Sequence, residues 1–226
     1  MTRRGPKPIE AVFLDLDGCL VDSTRAITNT FDHALASAGI APRPPAVTRS
    51  FIGPPLRTTF EIIVREEGLD PAFAAVLVDR YRERYRAMSA AETTLIEGIS
   101  EELVRLRRLA PLAIVTSKYG PVAERLVDDI GLRNHLPVVH APQDEQTVEP
   151  KDVTLRRALI AAGARPEASV MIGDREHDVR AGRACGTAKV GVLWGAGDRA
   201  ELESAGAHAI VAEVRALEVA VRGLFA

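Results

Sequence analysis

An α/β fold built on a mostly parallel sheet is what this sequence predicts, and three observations carry that expectation. Short apolar runs alternate with longer segments of helical period. The short runs are continuously apolar, as strands covered on both faces are. After the first of them, a block of roughly seventy residues with helical pattern interrupts the rhythm, too long for a simple crossover between strands.

Taken in order, the runs Ile9–Leu14, Leu112–Thr116, Pro137–His140, Ser169–Ile172 and Ala188–Leu193 read as buried strands, with a further edge strand at Ala207–Val211. Helices are expected near Pro121–Ile130, Asp152–Ala162, Asp178–Cys185 and Ala212–Leu224, so each crossover should be right-handed. Within the interrupting block, Ile27, Phe31, Ala34, Leu35 and Ala38 mark one apolar face, and Phe73, Val76, Leu77 and Tyr81 mark another. The expected organisation is a three-layer, Rossmann-like core (1–21 and 92–226) with an inserted helical domain (22–91).

Composition narrows the function classes. With 29 basic against 31 acidic residues, the 226-residue chain lacks the basic excess of a nucleic-acid binder. The arginine-rich runs Tyr81–Arg86 and Leu103–Leu109 intersperse apolar residues at helical spacing and read as amphipathic helices with solvated outer faces. Cys19 and Cys185 are the only cysteines, giving neither a disulfide framework nor a four-ligand zinc pattern, which fits a reducing, cytoplasmic setting. No stretch approaches the about 18 to 20 apolar residues of a membrane helix, so no membrane partner is expected. The start MTRRGPKP lacks a signal peptide's apolar core and reads as a tail.

The chemistry gathers at predicted strand ends. The first strand runs into Asp15-Leu16-Asp17-Gly18, where carboxylates two apart would share a face at the edge on which open α/β sheets bind ligands. Two acids held close are relieved by a cation or a shared proton, although a turn-forming aspartate pair is the plainer alternative. Gly18 permits a sharp turn there. After Ser169–Ile172, Asp174 and Asp178 are spaced to fall on one side of a helical turn, an oxygen set suited to magnesium or, alone, an N-cap with a surface acid. Thr116, Ser117 and Lys118 follow the Leu112 strand, where a hydroxyl and free N–H groups can hold a phosphate oxygen or cap a helix. Lys151 opens another helical segment and could offset charge on a transferring phosphoryl group.

In that order, DLDGCLVDS, VTSK, the downstream Lys151 and MIGDREHD resemble the four motifs of the haloacid dehalogenase superfamily. The insert resembles its helical, C1-type cap. Phe51-Ile52-Gly53-Pro54-Pro55-Leu56 and the tail from Gly191 are similar to phosphoglycolate-phosphatase-like members. The resemblance implies a magnesium-dependent phosphatase in which Asp15 is the nucleophile that forms an aspartyl-phosphate and Asp17 is the general acid and base. It implies Mg2+ on the Asp15 carboxylate, the Asp17 carbonyl and Asp174, with Asp178 in support, and a phosphoryl group held by Thr116 and Lys151.

Its substrate would be a small phosphorylated metabolite, with Gly53 and Arg57 as contacts in the cap, Arg57 suiting a second anionic group. A phosphomutase resembling β-phosphoglucomutase would need the same core residues, and a non-catalytic phosphate or metal binder of the same fold is the third reading. Asp17, absent from the dehalogenase branch, argues against carbon–halogen cleavage, and an insert without lysine argues against phosphonate cleavage.

The sequence departs from the family pattern in places. Cys19 replaces the usual threonine, as a tolerated small residue or as a thiol open to oxidants. Asp152 replaces a proline after the motif lysine, and Glu149 adds a negative charge, so Lys118 is an alternative to Lys151. His177, within the fourth motif, reads as a helix-start residue because magnesium prefers oxygen. Sequence leaves oligomeric state open.

Overall fold

Strand β1 (Ala11–Leu14) is Ala-Val-Phe-Leu, and all four side chains are buried. A strand with no polar side chain is satisfied only inside a sheet covered on both faces, and β1 lies at the centre of one. In the computed structural model, which describes residues 8–44, 47–48, 51, 56–144 and 148–226, six strands form a sheet of order β5-β4-β1-β6-β7-β8. The others are β4 (Leu112–Val115), β5 (Val139–His140), β6 (Ser169–Gly173), β7 (Ala188–Val192) and β8 (Ala209–Val211). Every pairing is parallel, with Leu14 opposite Ile114 on one side and Ile172 on the other. This is the expected α/β architecture, and each expected strand is present, five of them trimmed at an end and β6 one residue longer.

Sheet order explains where ligands can bind. From β1 the chain builds outward through β4 to β5, then returns to build β6, β7 and β8 on the opposite side. The strand order therefore reverses between β1 and β6, and the carboxyl ends of that pair open a crevice. Two further short strands, β2 (Val21–Asp22) and β3 (Thr94–Leu95), pair with each other.

In the same unit as the sheet run α4 (Ile99–Leu106), α5 (Gly120–Asp129), α6 (Lys151–Ala162), α7 (Glu176–Cys185), α8 (Arg199–Ala205) and α9 (Leu217–Gly223). Helix α6 covers one face through Leu155, Ala158 and Leu159, which cluster with Phe13, Val115 and Met171. Helix α8 was not expected, being too short for a periodic signal. Its ends are nevertheless written in the sequence: the Asp198 side chain accepts the Glu201 N–H at 2.8 Å, and Gly206 closes it in the left-handed region. The long expected helix at 212–224 is divided into a 3-10 turn, Val214–Ala216, and α9.

The chain divides into two compact units, with the breaks between Asp22 and Ser23 and between Thr94 and Leu95. The unit Ser23–Thr94 contains α1 (Thr24–Ala36), α2 (Leu56–Glu66) and α3 (Phe73–Glu92). Phe31 organises it, with ring centroids 5.0 Å from Phe60 and 4.9 Å from Tyr81, and Tyr81 stacks on Tyr85 at 5.6 Å.

Two readings of this unit need correction. The buried face of α3 is Ala74, Leu77, Val78 and Tyr85, whereas Val76 is 45% exposed. The Tyr81–Arg86 run is not simply a solvated face either. Arg84 reaches inward to pair with Glu92 at 3.1 Å and donates to the Thr30 hydroxyl at 3.2 Å. No helix among the described residues is long and apolar enough to cross a membrane.

Leu77→Ala is expected to lower stability by about 2–5 kcal/mol, and Val76→Ala to change it by only about 0.5 kcal/mol. Urea midpoints of the two variants check which side chain belongs to the buried face.

Candidate active site

Asp15 follows β1 directly and keeps its ladder bond, donating its N–H to the Ile172 carbonyl at 2.9 Å. Its side chain therefore emerges at the carboxyl edge beside β6, which delivers Asp174 one residue beyond its own end. Helix α7 begins two residues later and places Asp178 in its first turn. One oxygen from each of Asp15, Asp174 and Asp178 lies within 4.8 Å of the others, and all three residues are buried.

Lys151 supplies the opposing charge. It is the first residue of α6, 9% exposed, and its Nζ lies 2.5 Å from Asp15 Oδ1 and in direct contact with Asp178 Oδ1. Burial works to lower the Lys151 ammonium, but Asp15 and Asp178 outweigh it and hold the group above the usual lysine range. The Asp15 carboxyl is driven well up by burial, against the pull of Lys151 and with repulsion from Asp178 and Asp174. Burial and Asp178 push the Asp174 carboxyl up to about 7, opposed by the Ala196 N–H and Lys151.

The residues flanking Lys151 do not disturb it. Glu149 is held in a bidentate pair by Arg157, at 2.7 and 2.8 Å, and accepts from the Thr154 hydroxyl. Asp152 pairs outward with Arg156 at 3.2 Å. Lys118 does not take the place of Lys151 at Asp15. Its Nζ lies 3.0 Å from Asp17 Oδ2, and its N–H donates to Thr116 Oγ1 at 3.1 Å.

Asp17 stands apart from the three-acid group. Strand β1 ends at Leu14, so the two-residue spacing from Asp15 falls in the turn rather than on the strand. Gly18, at φ +82°, makes that turn, and its N–H donates to the Val21 carbonyl at 2.8 Å. While Asp17 Oδ2 faces Lys118, Asp17 Oδ1 is buried with no hydrogen-bond partner among the described residues.

Cys19 is fully buried, its Sγ 3.9 Å from the Ile172 carbonyl, so it is not open to oxidants. Burial and then Asp15 push its thiol well up, away from the reactive thiolate.

Thr116 is buried at the end of β4, and Ser117 beside it is exposed. His177 is exposed on α7 and outside the acid group. Arg57 lies on α2 in the helical unit, more than half exposed, paired with Glu61 at 3.3 Å. Gly53 lies outside the described residues.

Several supporting residues had not been singled out. The Ala196 N–H donates to Asp174 Oδ2 at 2.7 Å, and the Arg175 N–H donates to Asp178 Oδ2 at 3.0 Å. Glu201 accepts from both the Arg175 side chain and the Glu176 N–H at 2.8 Å, fixing the start of α7. A Cβ on Gly18 would lie 2.7 Å from Asp174 Cγ, and one on Gly195 would also strike that carboxylate. Only the glycines in the WGAGD stretch signalled this approach of backbone to acid.

The arrangement fits a hard divalent cation. Its ligand atoms are all oxygens, they are concentrated, and Asp174 Oδ1 is buried with no hydrogen-bond partner among the described residues.

Comparison with known proteins agrees with this geometry. Residues 12–192 match the family described as haloacid dehalogenase-like hydrolase. The chain is 36% identical over 200 residues to the tyrosine-protein kinase PtkA of Mycobacterium tuberculosis, covering 86% of this chain and 67% of that one. It is 34% identical to a 5′-nucleotidase of Pseudomonas aeruginosa (85% and 86% covered) and 30% identical to the phosphoglycolate phosphatase of Chromobacterium violaceum (87% and 90% covered). Among solved structures, a predicted phosphatase from Clostridium acetobutylicum superposes with a TM-score of 0.85 at 28% identity, over 95% of this chain and 99% of that one.

Crowded buried carboxylates also set a pH dependence. With its carboxyl raised to about 7, Asp174 contributes stability that is complete below its unfolded value of about 4 and is lost as pH rises through 7. In metal-free protein, the melting temperature of Asp174→Asn minus that of the wild type should therefore grow between pH 4 and 7. A pH-independent difference would show that the carboxyl is not raised.

Proposed function

The chain belongs to the haloacid dehalogenase-like hydrolases, and from that membership we propose that it is a magnesium-dependent phosphatase of a small phosphomonoester, working through an aspartyl-phosphate on Asp15. One observation carries the reading: a buried carboxylate at the strand-order reversal, in contact with a buried lysine and grouped with Asp174 and Asp178. A nucleophilic carboxylate needs both a charge partner and a place for the phosphoryl oxygens.

In the proposed cycle, an Asp15 carboxylate oxygen attacks phosphorus as the bond to the bridging oxygen breaks. Asp17 gives its proton to that oxygen, and the alcohol leaves. Asp17 then takes a proton from water, whose oxygen attacks phosphorus and displaces Asp15, so that inorganic phosphate departs and both aspartates return to their starting states. Lys151 offsets the charge of Asp15, while the Thr116 hydroxyl, the Ser117 and Gly18 backbone and Lys118 serve phosphoryl binding. Magnesium would be held by Asp15, the Asp17 carbonyl, Asp174 and Asp178. When bound, it supplies positive charge that keeps Asp15 anionic and neutralises the phosphoryl oxygens. Gly53 and Arg57 are the substrate contacts proposed in the helical unit.

Relatives named as phosphatase and 5′-nucleotidase support water as the acceptor rather than a sugar. The kinase relative favours a second reading, in which a tyrosine hydroxyl accepts the group.

Phosphate release from a panel of phosphomonoesters is expected with magnesium present, to be lost on chelation and restored by re-addition. Asp15→Asn should lower the rate at least about a thousandfold. Full activity in that variant excludes Asp15 as nucleophile, and transfer from ATP to peptide tyrosine without phosphate release would favour the second reading.

A further inference from the structure

Lys189 is the lysine among the described residues that pairs with no carboxylate. Lys118 faces Asp17, and Lys151 faces Asp15 and Asp178. Lys189, the second residue of β7 and only 8% exposed, has the Arg183 guanidinium as its charged neighbour instead. Its stem runs beneath α7, where a Cβ on Gly182 would lie 2.6 Å from Lys189 Cγ and 2.9 Å from Thr187 Oγ1. Arg183 is the next residue of that helix, and His208 comes from the start of β8, its N–H donating to the Lys189 carbonyl at 2.9 Å. Acids on the adjoining elements are turned elsewhere, Glu203 of α8 to Arg199 at 3.5 Å and Glu167 to Arg165 at 3.9 Å. Among the described residues, no acid forms an ion pair with Lys189, Arg183 or His208.

We propose that Lys189, Arg183 and His208 form a binding site for an oxyanion of the phosphate type, under the last turn of α7 and apart from the strand ends that carry Asp15 and Asp174. Lys189 stands three residues, roughly 10 Å of strand, before the carboxyl end of β7, so the two sites do not share side chains. The proposal is independent of the phosphatase reading.

Charge and donor geometry identify the ligand class. A buried cation beside a second cation is unfavourable until an anion enters or the proton leaves. Burial and then Arg183 hold the Lys189 ammonium below the usual lysine range, and burial and then Lys189 do the same to the His208 imidazolium. An incoming anion therefore meets an ammonium and a guanidinium, with the imidazole N–H as a further donor. The guanidinium fork alone satisfies the two oxygens of a carboxylate, whereas a tetrahedral dianion has oxygens left for the donors that β7 and the start of β8 contribute.

The test measures the melting temperature of the full chain against inorganic phosphate, with a chelator present and ionic strength held constant by chloride. Phosphate bound at the Asp15 edge raises the wild type and the variants alike, so the difference between them reports on Lys189 and its neighbours. At saturating phosphate, Lys189→Met and Arg183→Gln should each gain about 2–4 °C less than the wild type. Without phosphate, Lys189→Met should melt no lower than the wild type, because methionine keeps the packed stem and removes the repelling charge. Acetate should produce no such shortfall. Phenylphosphonate separates the sources: a shortfall with it as well indicates a phosphoryl group carried on an organic molecule, and one confined to inorganic phosphate indicates the free ion. Equal phosphate gains in the wild type and both variants overturn the site, and an equal shortfall with acetate overturns the ligand class. A Lys189→Met protein that melts lower without phosphate, beside an Arg183→Gln protein with the full phosphate gain, shows a purely structural lysine and overturns the proposal.

Discussion

The contact on which the site depends is the one between the Lys151 ammonium and the carboxylates of Asp15 and Asp178. An ion set this deeply buried gives up its hydration, and it holds only while each charge meets another. Remove the lysine, and Asp15 and Asp178 face each other and Asp174 without the charge that Lys151 supplies. The three elements that meet here are therefore fixed relative to one another by charge as well as by packing: the end of β1, the first residue of α6 and the first turn of α7. Arg157 protects the arrangement by occupying Glu149, which stands two residues from Lys151 and would otherwise be a rival partner for it.

Sheet order converts that contact into a usable site. Asp15 and Asp174 come from neighbouring parallel strands, β1 and β6, at the point where the strand order reverses, so the backbone leaves a gap where side chains from both sides converge. Glycines complete it. At Gly18 and Gly195 a methyl group would collide with the Asp174 carboxylate, so the absence of a side chain lets the loops close around the acid.

Much of this was legible in the sequence, because buried parallel strands advertise themselves as unbroken apolar runs and acids at their ends stand out against them. Asp15 and Asp174 were found that way, Lys151 by its place at the start of a helical segment and by the family resemblance, and the structure brings them together. What depended on a turn or on a distant segment was less visible. The sequence does not name the partner of Lys118, because spacing places it near a strand end without saying which neighbouring acid it faces. Ala196 and Glu201 gave no signal, since a backbone N–H holding a carboxylate looks like any other residue. Val76 misled because α3 carries apolar residues on more than one side, and the periodicity does not say which of them faces the rings of Phe31 and Phe60 that Tyr81 meets.

The bond from the Trp194 indole N–H to the Cys19 carbonyl, at 3.0 Å, joins the loop after β7 to the turn that carries Asp17 and Gly18. Trp194 is the sole tryptophan of the chain. Excited at the red edge of the absorption, where the three tyrosines contribute little, its emission originates at one place and responds to the polarity and hydrogen bonding of that turn. The molecule thus carries its own optical probe of that turn, and occupancy there can be followed by fluorescence without attaching a dye.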